Sequence, residues 1–185
     1  GAGNIQSVQF ALARLGINAL LSNDKEEILT SDKIIFPGVG HANQAMKQLR
    51  ATALDELIPN LKQDVLGICL GMQLLCQHTE EGQTQGLGVF NSEVKRFNNS
   101  VKVPHMGWNL IEDLKSGLFK GLNPNPYMYS VHSYYAPVGP QTIASSHYES
   151  PFSAALQHNN FYGVQFHPEK SSSEGAQILT NFLDL

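Results

Sequence analysis

Val65-Leu66-Gly67-Ile68-Cys69-Leu70-Gly71-Met72-Gln73-Leu74-Leu75 decides the fold. Residues 65–68 form an apolar run of strand length, and residues 70–77 read as a helix. A strand apolar at every residue, rather than every second one, needs cover on both faces. The same strand–turn–helix order recurs upstream. Ile5, Val8, Leu12 and Leu15 fall on one helical face, and Gly16 stands where a helix places its C′ residue. Residues 17–21 are expected as a short strand and residues 33–36 as another, stopped by Pro37-Gly38. Residues 44–58 are expected as a helix closed by Pro59-Asn60. Downstream the character changes. Residues 86–112 and 127–166 hold short β-rich runs with Gly, Pro and Asn turns, clearest at 127–135, 142–146 and 161–166. A last helix is expected over about 172–185. The alternation predicts an α/β chain. With the β-rich half added, the expected architecture is one domain over residues 1–185, an open, mostly parallel mixed sheet flanked by helices. The chain opens on Gly1-Ala2-Gly3-Asn4. In alternating chains such a Gly-rich turn follows a strand, so a short first strand is expected ahead of it.

Composition narrows the function. Hydrophobic residues make up 42% of the 185, which excludes a disordered chain. Twelve basic against sixteen acidic residues leave a net charge of −4, with no Lys/Arg cluster, so no nucleic-acid partner is expected. No apolar run approaches the roughly 18 residues of a membrane span, and no membrane partner is expected. Two cysteines fit a reducing, cytoplasmic compartment rather than a disulfide scaffold. No basic start or apolar segment marks a secretory signal. The seven His are scattered, without C-x-x-C or H-x3–5-H spacing, so no metal site is expected. No glycine-rich nucleotide loop occurs, and no cofactor is expected.

Three segments carry chemistry. Gly67-Ile68-Cys69-Leu70-Gly71 has the G-x-nucleophile-x-G pattern of a hydrolase elbow, with Cys in place of Ser. Flanking Cβ atoms would crowd so tight a turn. The helix start that follows favours a thiolate, and the Leu70 N–H is placed to meet an oxyanion. Cys76, without glycines around it, reads as core packing on the same helix. Gly163-Val164-Gln165-Phe166-His167-Pro168-Glu169 ends an apolar strand in a His and a Glu two apart. In extended backbone the two point to one side, so Glu169 can hold the His167 tautomer. Cys69, His167 and Glu169 are therefore expected to converge, with sulfur and imidazole about 3–4 Å apart. Pro37-Gly38-Val39-Gly40 stands at another strand end. Its glycines allow close backbone approach, a second oxyanion donor at Val39 or Gly40, and a flip of the Val39 peptide that would gate the site.

These segments closely resemble the class I, triad-type, glutamine amidotransferases. The resemblance covers essentially the whole chain. Pro104-His105-Met106-Gly107-Trp108-Asn109 and Tyr129-Ser130-Val131-His132-Ser133-Tyr134 are similar to the branch that supplies ammonia to a histidine-biosynthetic cyclase. The resemblance implies that Cys69 attacks the side-chain amide of glutamine while His167 and Glu169 complete the triad. It implies a glutamine site made by Gly40, Gln73, Glu81, Ser133 and Tyr134, with Glu81 suited to the α-ammonium. It implies a heterodimer with a (β/α)₈-barrel cyclase subunit, met by Asn4, Met106, Trp108 and Lys170. Two alternatives remain open on the sequence. One is the glutaminase of another amidotransferase, such as that of anthranilate synthase. The other is a non-catalytic binding or stress-response module on the same scaffold.

Overall fold

The structure, a computed structural model, describes residues 2–38 and 40–185, with side chains from Ile5 onward. In chain order its elements are α1 (Ala2–Arg14), α2 (Lys25–Thr30), β1 (Lys33–Pro37), α3 (Ala42–Ala51), α4 (Leu54–Leu57), β2 (Asp64–Ile68) and α5 (Leu70–Leu75). There follow β3 (Cys76–Thr79), β4 (Thr84–Gln85), β5 (Phe90–Arg96), β6 (His105–Leu110), β7 (Tyr127–His132), β8 (Tyr134–Tyr135), β9 (Thr142–His147), β10 (Pro151–His158), β11 (Phe161–Val164) and α6 (Ser172–Leu183). The central sheet runs β1-β2-β11-β10-β9. Its first three strands are parallel, and β10 is antiparallel to both neighbours, so the sheet is mixed. A second sheet, β4-β3-β5-β8, and an antiparallel ribbon, β6-β7, complete the described strands.

The unbroken apolar run of β2 is explained by its two faces. Leu66 and Ile68 pack with Val8 and Leu12 of α1 and with Ile178, Leu179 and Phe182 of α6. Val65 packs on the other side with Leu54, Ile58, Met72 and Leu75. Each such side chain contributes roughly 1.5–3 kcal/mol by leaving water. Among the described residues no helix is long and apolar enough to cross a membrane.

Several boundaries differ from expectation, each for a local reason. Helix α1 already includes the Gly-rich opening, and Gly16 does take a left-handed φ of +81° just past its end. Residues 17–21 are not a strand: none of the described strands pairs with them, and Leu20 and Leu21 are exposed. The helix expected over 44–58 is broken. The Thr52 hydroxyl donates to Leu49 O at 3.1 Å, Ala53 turns left-handed at φ 51°, and α4 then aims Leu54 into the core. Helix α5 stops at Leu75, because the N–H groups of Gly86, Leu87 and Gly88 take the carbonyls of Gln77, Leu74 and Cys76. Cys76 therefore opens β3 rather than sitting on the helix, but it is fully buried, as core packing requires. The run 127–135 breaks at Ser133, whose carbonyl accepts from Phe97 N at 3.0 Å as the chain leaves the ribbon for the second sheet. Trp108 stands on β6, not in a turn.

Candidate active site

The turn between β2 and α5 is built by backbone crowding. A Cβ on Gly67 would meet Leu75 Cδ1 at 2.8 Å and Met72 N at 2.9 Å. A Cβ on Gly71 would run into the Phe36 carbonyl, which brings the end of β1 against the first turn of α5. Between these glycines Cys69 adopts φ 54°, ψ −111°, a sparsely populated conformation that costs about 1–3 kcal/mol and persists only where surroundings impose it. Here they do: Cys69 N donates to Val164 O at 2.8 Å, and Gln73 N to Cys69 O at 3.2 Å. The thiol is thereby lifted partly into solvent at the mouth of the parallel strands. Helix α5 has only six residues, so its dipole lends the sulfur little. Two closer groups matter more: Sγ lies 3.8 Å from the Val131 carbonyl and 3.8 Å from Gln165 Nε2.

His167 and Glu169 meet as expected, though not by the expected geometry. Pro168 to Lys170 form a 3₁₀ turn instead of extended chain. His167 Nδ1 lies 2.8 Å from Glu169 Oε1, with both residues buried. His167 N donates to Tyr129 O at 2.8 Å, and the Ser171 hydroxyl donates to His167 O at 2.7 Å while accepting from Tyr129 N at 2.9 Å. The His167 backbone is thus tied to the ribbon strand β7 through both its N–H and its carbonyl. Burial alone would lower the His167 pKa. Hydrogen bonds to Cys69 and Glu169, and the negative charge of both, outweigh it and raise the group to about 10. With Nδ1 on Glu169, the other ring nitrogen remains for Cys69, the second group that raises the His167 pKa. The site can therefore hold an imidazolium against the Glu169 carboxylate.

The remaining sequence-derived residues divide. Gln73 is buried, and its amide nitrogen is already engaged by Tyr134 O and Gln165 Oε1, each at 2.9 Å. Glu81 Oε2 accepts from Ala42 N at 2.8 Å and so caps α3 beside the glycine loop. Gly40, at φ +80°, is exposed in that loop. Leu70 opens α5 directly after Cys69, its side chain packed with Ala42, Met46 and Leu74. Ser133 and Tyr134 are half-buried where β7 gives way to β8. Met106 and Trp108, 62% and 52% exposed, project from the ribbon, and Trp108 stands edge-on to Tyr129 at 6.0 Å. Lys170 is exposed beside Glu169. Val39, with its expected peptide flip, and the Asn4 side chain lie outside the described residues. Sequence reasoning missed Gln165, Val131 and Ser171. Gln165 carried a signal, a lone amide between Val164 and Phe166 just past an apolar strand. Val131 acts through its carbonyl, which no side-chain pattern reveals.

Comparison with known proteins fits this geometry. The model of the family described as glutamine amidotransferase class-I matches residues 2–185. A Bacteroides thetaiotaomicron protein, imidazole glycerol phosphate synthase subunit HisH, is 54% identical over 187 residues, covering 100% of this chain and 95% of the relative. The protein of the same name from Vibrio cholerae is 48% identical over 194 residues, with 100% and 95% covered. Among solved structures, a glutamine amidotransferase superposes with a TM-score of 0.75 at 20% identity, covering 97% of this chain and 92% of that one. A second glutamine amidotransferase, from Thermotoga maritima, gives 0.63 at 18% identity, covering 96% and 76%. At that identity the structures speak for the fold alone, while the full-length family match speaks for descent: the chain belongs to the class-I glutamine amidotransferases.

Proposed function

We propose that the chain is the glutaminase subunit of an imidazole glycerol phosphate synthase. It would hydrolyse glutamine to glutamate and ammonia, and deliver the ammonia to a (β/α)₈-barrel cyclase in histidine biosynthesis. The observation that supports the reading is His167 Nδ1 at 2.8 Å from Glu169 Oε1, on an imidazole whose pKa Cys69 and Glu169 together raise. High identity to the subunits named above supports the choice of partner.

The chemistry follows from the charges. Cys69 Sγ, as thiolate, attacks the side-chain carbonyl carbon of glutamine, forming a C–S bond and a tetrahedral oxyanion. The Leu70 N–H and a donor from the 39–40 segment meet that oxygen. The C–N bond breaks as His167, an imidazolium while the sulfur is ionised, gives its proton to the leaving nitrogen. Ammonia departs and a glutamyl thioester remains. Neutral His167 then takes a proton from water, the resulting hydroxide attacks the thioester, and the C–S bond breaks to release glutamate and regenerate the thiolate–imidazolium pair. Glu169 holds the ring and stabilises its charge throughout. Glu81 and Gly40 at the rim would receive the α-ammonium and α-carboxylate ends of the substrate.

The decisive measurement is glutamate release by the purified chain, alone and with a barrel cyclase carrying its ribotide ligand. Release that depends on Cys69 and rises with the cyclase supports the reading. Activity unchanged by Cys69→Ala, or indifferent to the cyclase, overturns the mechanism or the partner respectively.

A further inference from the structure

Gln165 is almost fully buried, yet its amide reaches the sulfur of Cys69. An amide has two different ends, and which one faces the sulfur determines its effect. Here hydrogen-bond arithmetic settles the orientation. Tyr134 O is a carbonyl and can only accept, so the Gln73 group 2.9 Å away must be the NH₂. That same NH₂ lies 2.9 Å from Gln165, so the Gln165 atom facing it must be the oxygen. The Gln165 NH₂ is left pointing at Cys69 Sγ, 3.8 Å away.

The Tyr134 carbonyl is held in turn. His132 Nδ1–H donates to it at 2.8 Å. His132 Nε2 must then accept, from His105 Nδ1–H at 3.1 Å. Burial holds both histidines neutral at ordinary pH, lowering His132 to about 3 and His105 in the same direction. The carbonyl that fixes Gln73 is therefore itself fixed from beneath the ribbon.

The two polar contacts at the sulfur discriminate between its protonation states. The Val131 carbonyl, also 3.8 Å away, accepts from the thiol and opposes a thiolate. The Gln165 NH₂ donates and so favours the thiolate. We infer that Gln165 is a dedicated donor to the Cys69 thiolate and that Gln73 is the positioning residue that locks it in the donating orientation. This rests on Cys69 as the nucleophile and gives Gln73 a task beyond the substrate contact that the family resemblance implies. The titratable groups around Cys69 are His167, from the turn after β11, and behind it Glu169 and His132, and neither variant below replaces any of them.

The test reads the sulfur directly. The rate of Cys69 alkylation by iodoacetamide is measured from pH 4 to 9 in the isolated chain, with Cys69→Ala as the blank for Cys76. Folding is checked by thermal melting. In Gln165→Met the acid limb of the profile moves up by about one pH unit, a tenfold smaller thiolate population at a given acidic pH. In Gln73→Met, which frees the Gln165 amide to turn, it moves in the same direction by a smaller amount. A folded Gln165→Met variant with the wild-type profile overturns the donor role. A wild-type profile in Gln73→Met overturns the lock, and that variant carries the test alone if Gln165→Met does not fold. Glutamine turnover by the wild-type chain is assayed separately. Loss of this inference with turnover still Cys69-dependent leaves the glutaminase reading standing, and turnover independent of Cys69 removes both.

Discussion

Cys69 and Cys76 differ in environment more than in chemistry. One is strained, half-open and paired with an imidazole. The other is sealed in the core, where burial pushes its thiol up to about 12. Cys69→Ala is therefore expected to abolish glutamate release while leaving the fold intact by circular dichroism, since Ala occupies the same strained φ without the sulfur. Cys76→Ala should keep activity and lose about 1 kcal/mol, read by urea titration, for one small buried group. The His167 pKa gives a pH prediction with a definite sign. It is raised from about 6.5 in the unfolded chain to about 10. The stabilisation it lends is full below pH ~6.5 and lost as pH rises through about 10. Glu169→Gln removes part of it, so the stability gap to wild type should be on the order of 1–2 kcal/mol near pH 6 and narrow toward pH 10. The His167 ring resonances in an NMR titration should move to a lower midpoint in the same variant. A midpoint unchanged by Glu169→Gln would refute the pairing. The triad was legible in sequence because a nucleophile between glycines and a His-x-Glu at a strand end are side-chain patterns. The contacts from Val131 O and Tyr129 O were not, because backbone carbonyls carry no residue identity.

At the scale of elements, β2 with the turn after it joins β1, β11 and α5. It is legible from sequence because both faces are covered, which forces an unbroken apolar run. Residues 17–21 look equally strand-like by composition. They form none, because a strand is defined by its neighbour and none of the described strands takes their backbone. The break at Ala53 was hidden for a related reason: the helical spacing of apolar residues continues across it, and only tertiary packing of Leu54 and Ile58 selects the turn. The contact of β1 with α5 gives a sharp test. Gly71→Ala would drive a methyl into the Phe36 carbonyl, backbone against backbone, with no flexible side chain to yield. A loss of about 3 kcal/mol is expected in urea titration, with reduced glutaminase activity as the elbow shifts. Gly139→Ala, where a Cβ meets nothing within 4 Å, should stay within about 0.5 kcal/mol. Equal effects at both sites would contradict the crowded-elbow account.

Over the whole molecule, the β6-β7 ribbon lies against the candidate site, with Tyr129 O on His167 N and Val131 O near Cys69 Sγ. The pairing register sets Met106 opposite Val131, Trp108 opposite Tyr129 and Leu110 opposite Tyr127. The alternate residues of β7, Met128, Ser130 and His132, are buried, so the other set is left outward. Met106, Trp108, Leu110 and Tyr127 thus make one continuous exposed apolar row. The strand beneath that row holds the active site at two points, through Tyr129 O on His167 and Val131 O near Cys69. A partner seated on the row would press on the strand that positions His167 and Cys69. Within the proposed synthase the cyclase would dock here, with Trp108, a large aromatic near the middle of the row, as its anchor. Trp108→Ala should weaken cyclase binding about 10- to 100-fold in a fluorescence or calorimetric titration, while leaving the fold and the Cys69 alkylation rate of the isolated chain unchanged. At saturating cyclase the same variant should release more glutamate than the cyclase consumes as ammonia, because the seal over the site is incomplete. Undiminished affinity together with one-to-one coupling in Trp108→Ala would place the docking face elsewhere on the molecule.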